Sequence, residues 1–183
     1  MKSKFLVYST AVFCLAVGNI VLPVKAMPAT HPVNVAQAST SLTEANVQAV
    51  IEQLEAARDS RDVEGTLALI APFAVTVVTV ESGNGLSTVT TRLEGIDAHR
   101  QMLEQTFGQV QSREMLRGHI DIDIVNDGFG VAKIYQMENI QTSEGEALIA
   151  ASQTVLRFGQ VNGRVLVTSA TVEGWIAARP TEN

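Results

Sequence analysis

Two side chains in the C-terminal half of the chain, Glu173 and Tyr135, have types suited to acid–base chemistry. A carboxylate desolvated by Trp175 and aliphatic neighbours becomes a stronger base, which suits the removal of a proton next to a carbonyl group. A tyrosine hydroxyl can donate a hydrogen bond to the oxyanion that then develops. Glu173 and Tyr135 are therefore the candidate catalytic pair. The alternative is that Glu173, near the end of the last strand, points to water and that Tyr135 only lines a cavity.

Three turn sequences, Asp127-Gly128, Glu144-Gly145 and Asn162-Gly163, predict four long strands at residues 112–126, 129–142, 146–158 and 164–175. Because side chains alternate along a strand, tight turns predict which residues share a face. The predicted cavity face contains Ile120, Ile122, Ile124, Val131, Lys133, Tyr135, Ser152, Thr154, Leu156, Phe158, Val167, Ser169, Thr171, Glu173 and Trp175. From this face we predict a ligand-binding set made of Tyr135, Thr154, Ser169, Thr171 and Trp175.

The opposite face of these strands is predicted to be polar at one end and apolar at the other. It contains Arg117, His119, Asp121, Asp123, Ala132, Ile134, Gln136, Glu138, Ala151, Val155, Leu166, Ala170 and Val172. The apolar group of Ile134, Val155, Leu166 and Val172 predicts a homodimer formed through the sheet. One β-bulge in any strand would exchange the two faces beyond it, so either face remains open as the cavity wall.

Three potential metal ligands, His119, Asp121 and Asp123, alternate along one predicted strand. Two or three ligands on an exposed strand would leave most of a coordination shell to water. The pattern therefore favours an acidic outer face over a cation site. We predict no metal and no cofactor.

The N-terminal half of the domain predicts three helices and two strands. Ser41 and Glu44 match a capping box, and an apolar stripe at residues 47, 50, 51 and 54 follows it. Asp62 is positioned to cap a second, short helix that Pro72 ends. Strands at residues 73–81 and 87–94 come next, and Gly95 opens a third helix that extends to about residue 109.

Residues 1–26 have the pattern of a secretory signal peptide, with Lys2 and Lys4 before a long apolar run and Ala26 at its end. Ala38 is an alternative cleavage position, and a membrane anchor is the competing interpretation. Residues 27–40 predict a flexible linker, 41–177 one domain and 178–183 a C-terminal tail. The expected location is the periplasm or the extracellular space.

Cleavage after residue 26 would leave 10 Lys and Arg against 19 Asp and Glu, a formal charge of −9. Such an acidic chain is a poor partner for nucleic acid or for an anionic membrane surface. Cys14, the only cysteine, lies in the apolar run, so the mature chain would hold no thiol.

The order of elements resembles the nuclear transport factor 2-like superfamily, in particular its SnoaL-like and ketosteroid-isomerase-like branch. The similarity lies in residues 54–65 (LEAARDSRDVEG), 70–74 (IAPFA), 93–99 (LEGIDAH), 126–132 (NDGFGVA) and 162–164 (NGR). The resemblance implies an α+β fold with a cone-shaped, mostly antiparallel sheet of about six strands wrapped around three helices. Its last strand often carries Trp after Gly-Arg and a later His, where this chain has Val165, Ser169 and Thr171.

The expected function is non-catalytic, namely binding of a small hydrophobic ligand in the cone, self-association as a homodimer, or both. The alternative is a small isomerase, dehydratase or cyclase that acts on a hydrophobic carbonyl compound through Glu173 and Tyr135. A third class, a structural adaptor, would have a cone filled with side chains.

Overall fold

The computed structural model describes residues 41–180 except 84 and 86. The predicted signal peptide and the whole predicted linker lie outside these residues and stay predictions. The described chain contains three helices and six strands. They are α1 (Glu44–Asp59), α2 (Val63–Leu67), β1 (Ile70–Ser82), β2 (Thr88–Glu94), α3 (Gly95–Gln109), β3 (Val110–Asn126), β4 (Phe129–Thr142), β5 (Ala147–Val161) and β6 (Arg164–Ala178).

The helix boundaries follow the predicted caps with two corrections. Asp62 caps α2 as predicted, because its carboxylate accepts a hydrogen bond from the Gly65 amide at 2.8 Å. The cap of α1 is Thr43 and not Ser41, since the Thr43 hydroxyl accepts from the Asn46 amide. Pro72 does not end α2, which stops at Leu67; the proline lies inside β1, next to an irregularity in strand pairing.

The six strands form one open sheet in the order β2-β1-β6-β5-β4-β3. Only the β1–β6 pair is parallel, and the other four neighbouring pairs are antiparallel. This architecture confirms the predicted α+β cone with a mostly antiparallel sheet. The Asn162-Gly163 turn is of the predicted tight type, since both residues have positive φ, 51° and 76°.

Two β-bulges and one turn decide which side chains point into the cone. The turn at Glu144-Gly145 has three residues and not the predicted two, since Gln141 pairs with Ala147 and the Thr142 amide donates to the Glu146 carbonyl. Next to the Asp127-Gly128 turn, Asn126 pairs with Phe129 but Ile124 pairs with Gly130, so Val125 is the extra residue. Ile120 consequently lies opposite Ile134, and Tyr135 points to the other face. In β6 the extra residue is Thr168, because Arg157 pairs with Ser169 and Phe158 pairs with Val167.

These bulges contradict part of the predicted cavity face. Tyr135, Ser169, Thr171, Glu173 and Trp175 lie on the convex face, away from the helices, and Lys133 and Val131 lie with them. The placement of Ser152, Thr154, Leu156, Phe158 and Val167 on the cone face is confirmed, since all five side chains are buried there.

The predicted dimer patch needs the same correction. Ile134 and Val172 point into the core with exposed fractions of 1% and 0%, and Leu166 is buried against Ala71 and Ala74. Ala132, Gln136, Glu138 and Ala170 also move from the predicted outer face to the concave one. Of the four patch residues, Val155 alone is half-buried on the convex face.

Two apolar clusters lie on the concave face of the sheet. In the first, the α1 residues Val47, Val50, Ile51 and Leu54 pack on strand residues Ala132, Ile134, Leu156 and Phe158. The second cluster contains Val78, Val80, Val110, Ile140, Leu148, Ala150, Val172 and Ile176. Between residues 41 and 180, no described helix has the length and apolarity needed to cross a bilayer.

Candidate functional site

Two charged residues occupy the buried face of α1. Glu55 and Arg58 continue the apolar stripe by one further turn and are 9% and 4% exposed. Residues three and four positions apart lie on the same side of a helix, so both side chains point toward the sheet. The first apolar cluster therefore gives way to charge at the C-terminal end of α1.

The sheet presents polar side chains on its concave face beside this end of α1. Gln136 on β4 lies directly opposite Ser152 on β5, and Thr154 lies one step along the same face of β5. Glu138 lies one step beyond Gln136 on β4, next to the row of the second apolar cluster. We call Glu55, Arg58, Gln136, Glu138, Ser152 and Thr154 the polar cluster; it forms a band between the two apolar clusters.

The charges of the polar cluster are electrostatically linked. Arg58 Nη1 lies 3.6 Å from Glu138 Oε1, and both side chains are almost fully buried. Burial raises the pKa of Glu138, while Arg58 and Arg113 oppose the rise. Burial also raises the pKa of Glu55 to about 7, again against the opposing charge of Arg58. Both carboxyl groups thus lie near one deeply buried guanidinium, and Glu55 takes up a proton near neutral pH.

Most polar atoms of the cluster lack a hydrogen-bond partner among the described residues. These atoms are Glu55 Oε1, both side-chain polar atoms of Gln136, both carboxyl oxygens of Glu138, Ser152 Oγ and Thr154 Oγ1. Each buried unsatisfied group costs roughly 1–3 kcal/mol. Native interiors rarely contain several such groups together unless they serve a purpose. The band is therefore suited to donate to and accept from a polar group placed inside the cone.

Other buried polar side chains in the cone have partners. His99 on α3 is fully buried, with Nδ1 2.6 Å from the Gly95 carbonyl oxygen and Nε2 2.8 Å from Thr76 Oγ1. Because a carbonyl only accepts, Nδ1 is the donor. Thr106 Oγ1 likewise donates to the Met102 carbonyl. The His99–Thr76 contact attaches α3 to β1, and the other two hydrogen bonds are made to carbonyls of α3 itself. His99 and Thr106 therefore have partners, unlike most polar atoms of the polar cluster.

A groove lies on the convex face of the sheet, away from the helices. It is a groove of about 520 Å³ whose walls include Arg117, His119, Tyr135, Met137, Ala151, Glu173 and Trp175. Tyr135, Met137 and Trp175 are each 38–39% exposed. The His119 and Tyr135 rings are stacked, with centroids 6.5 Å apart and planes 22° apart. We call this the convex groove.

The predicted catalytic pair, Glu173 and Tyr135, does come together with Trp175, but in the convex groove and not in the cone. Gln153 lies between Tyr135 and Glu173 in the same row of the sheet. Glu173 is exposed to solvent and is not enclosed by Trp175 and aliphatic neighbours as predicted. Ser169 and Thr171 lie on the same convex face as the groove, and among the predicted ligand-binding residues only Thr154 belongs to the polar cluster.

The described residues hold no group of three or more His, Cys, Asp or Glu side chains arranged to bind a metal ion. His119 Nε2 instead lies 3.0 Å from Asp121 Oδ1 on the exposed face of β3. Glu55 and Glu138 are two carboxylates beside a guanidinium, which is a poor environment for a cation.

Sequence reasoning missed Glu55, Arg58, Gln136 and Glu138. A signal for the first two was present, because positions 55 and 58 continue the stripe of residues 47, 50, 51 and 54. Charged residues on the apolar side of a helix are unusual enough to mark a site. Gln136 and Glu138 carried no such signal, since their face depended on the bulge at Val125.

No protein-family model and no curated protein sequence matches this chain. Several solved structures do match it. A scytalone dehydratase-like protein from Novosphingobium aromaticivorans superposes with a TM-score of 0.58 and 14% identity, over 75% of this chain and 88% of that one. A ketosteroid isomerase-like protein from Erwinia carotovora atroseptica gives a TM-score of 0.55 and 13% identity, over 71% and 94% of the two chains.

A nuclear transport factor 2-like protein of unknown function from Pseudomonas putida KT2440 is similar to the same degree. Its TM-score is 0.55 at 13% identity, and the match covers 71% of this chain and 84% of that one. Identities this low establish the fold and not the activity. The chain has the nuclear transport factor 2-like cone fold.

Proposed function

We propose that the cone binds a small, largely apolar molecule whose polar group meets the polar cluster. The observation that carries this proposal is the set of buried, unsatisfied polar atoms on Gln136, Glu138, Ser152 and Thr154. A chain that needed only a filled core would gain stability by replacing them with apolar residues. Apolar clusters on both sides of the band would contact the rest of the ligand.

Native mass spectrometry of protein purified from its own host tests the proposal. We expect an added mass that is released on denaturation and is absent from a Thr154→Trp variant, because the indole would fill the space beside Ser152. Thr154→Val, which keeps the shape and removes the hydroxyl, is the milder variant and should weaken retention. A wild-type protein of unmodified mass, with no thermal shift from any small apolar alcohol, ketone or acid, would contradict the proposal.

A catalytic role is the second candidate, and the carboxyl of Glu55 favours it. A base with a pKa of about 7 is half ionised at neutral pH, where proton transfer is most effective. Glu55 would take a proton from the carbon next to a carbonyl, and the electron pair would move to the oxygen. Arg58 would stabilise that oxygen with its positive charge. Reprotonation at another carbon completes an isomerisation.

The Glu55→Gln variant separates binding from catalysis, because the amide keeps the shape but accepts no proton. An enzyme should lose turnover of a hydrophobic carbonyl substrate by about 10²–10⁴-fold while still binding it. Glu173→Gln is the matched control in the convex groove and should turn over normally. Equal activity of Glu55→Gln and wild type would remove Glu55 from the mechanism.

Self-association and export complete the proposal. The exposed Tyr135, Met137 and Trp175 give the convex groove the apolar character of an association surface, so we place the predicted homodimer contact there. The lysine and apolar pattern of residues 1–26 supports export by a cleaved signal peptide. N-terminal sequencing of the secreted protein should begin near Met27, and retention of the apolar run would contradict export by cleavage.

A further inference from the structure

A pocket of about 270 Å³ adjoins the polar cluster at the C-terminal end of α1. Arg58, Arg61 and Arg113 line it, together with Asp59 and the apolar Phe107 and Val110. We call it the arginine pocket. Three of the ten Lys and Arg residues between positions 41 and 180 lie here, although that segment carries 18 Asp and Glu. Arginine side chains are thus clustered at one point of an acidic domain, beside the carboxyl groups of Asp59 and Glu138.

Arg61 is held in the arginine pocket by an unusual backbone. Its φ of 57° is left-handed, a conformation that usually selects glycine after a helix. The Arg61 amide donates to the Arg58 carbonyl at 3.0 Å, and the Asp62 amide donates to the Ala57 carbonyl at 2.7 Å. Arg61 Nη2 donates to the carbonyls of Val110 and Gln111, both at 2.9 Å. These backbone and side-chain hydrogen bonds hold Arg61 in this conformation.

Arg58 and Arg113 place like charges side by side. They approach from different elements, since Arg113 lies on the concave face of β3 opposite Ile140. Burial lowers the pKa of the Arg58 guanidinium, and the charge of Arg113 lowers it further, while Glu138 and Asp59 oppose the change. Asp59 pairs with Arg58 at 3.4 Å but is 43% exposed. A ligand carboxylate in the pocket would add to the attraction that Glu138 already exerts on both guanidinium groups.

We propose that the arginine pocket binds the carboxylate of a small-molecule ligand whose apolar part occupies the cone. This inference rests on the proposed function and names the ligand class as an amphiphilic carboxylic acid. The volume is below the roughly 300–1,000 Å³ of a complete ligand pocket, so it fits a head group and not a whole molecule. Arginine matches a carboxylate with two parallel hydrogen bonds, and Phe107 and Val110 join the pocket to apolar surface.

Calorimetric titration with octanoate and with 1-octanol tests the inference, because the two probes share a tail and differ in charge. At neutral pH, wild type should bind octanoate at least tenfold more tightly than octanol. Arg113→Gln should abolish this preference without changing octanol binding, and Arg113→Lys should keep part of it. Arg157→Gln is the control, since Arg157 is equally half-buried but lies on the convex face of β5. Arg61→Gln is the second variant if Arg113→Gln does not fold.

The outcomes separate this inference from the proposed function. Equal affinity of wild type for both probes, or a preference that survives in Arg113→Gln, overturns the carboxylate site and leaves cone binding intact. Failure of both probes to bind overturns the carboxylate site and counts against a binding cone. If Arg157→Gln lost the preference for octanoate to the same extent, the preference would arise from the overall charge of the protein. That result would also overturn the carboxylate site.

Discussion

Arg58 Nη1 on α1 and Glu138 Oε1 on β4 lie 3.6 Å apart inside the cone, and neither side chain is more than 4% exposed. This contact joins the end of the long helix to β4, the strand next to the β3 edge of the sheet. It also brings opposite charges into a region that apolar clusters surround on both sides. The proposed ligand binding and the proposed catalysis both involve this pair, and Arg58 also lines the arginine pocket.

Breaking the Arg58–Glu138 pair should destabilise the fold. Arg58→Met leaves a buried carboxyl without its cation, so we expect a loss of about 3–5 kcal/mol in the free energy of unfolding. Combining it with Glu138→Leu should bring stability back to within about 1 kcal/mol of wild type or above it. Urea unfolding measures the free energy of unfolding of wild type, Arg58→Met and the double variant. Arg92→Ala, which removes the exposed Arg92–Glu94 pair, should cost less than about 1 kcal/mol. A similar loss in both single variants would contradict the role of burial.

Stability should fall as pH rises through the range set by Glu55. Its pKa increases from 4.5 to about 7 on folding, so the folded state binds more protons between those values. The free energy of unfolding should therefore decrease from about pH 4.5 to 7, by up to about 1.4 kcal/mol per pH unit from this group, and then level off. Glu55→Gln should reduce the slope, with the raised pKa of Glu138 supplying the remainder, whereas Glu104→Gln on the exposed side of α3 should leave the slope unchanged. An unchanged slope in Glu55→Gln would show that Glu55 does not titrate as described.

Replacing Gln136 should increase the stability of the fold and weaken ligand binding. Both polar atoms of its buried amide are unsatisfied, so Gln136→Met, with a similar shape, should raise the free energy of unfolding by about 1–3 kcal/mol. The same variant should bind cone ligands more weakly. Gln141→Met is the control on the same strand, where the side chain points to the other face. A destabilised Gln136→Met would mean that the amide has partners in the folded protein.

Trp175 should report association between chains and not occupancy of the cone. It is the only tryptophan and is 38% exposed in the convex groove, so dimerisation there should shift its emission to shorter wavelength as concentration rises. Met137→Glu should give a folded monomer in sedimentation analysis, and Val155→Glu, at the groove's edge, should act in the same direction. Arg157→Glu is a charge control, since Arg157 lies one step farther from the groove than Val155 on the convex face of β5. A monomeric wild type at high concentration would remove the dimer proposal.

The order and type of the elements could be predicted because they depend on local signals. Apolar periodicity defines α1, the Asp62 carboxylate caps α2, and Gly95 opens α3, which ends at Gln109 as predicted. The two-residue turn at Asn162-Gly163 follows from backbone preferences of Asn and Gly. Each of these features involves residues a few positions apart, so the chain carries enough information to specify them.

The faces of the strands could not be predicted, because a bulge depends on which side chains pack better across the sheet. The extra residues Val125 and Thr168 each reverse the alternation, and no local signal distinguishes them from their neighbours. The reversal buries Ile134, Gln136 and Glu138 and exposes Tyr135 and Trp175. The candidate site could not be predicted for the same reason. Glu55 and Arg58 form a site only together with the carboxyl of Glu138, which is about 80 residues away in the sequence. Only the folded sheet places Glu138 beside them.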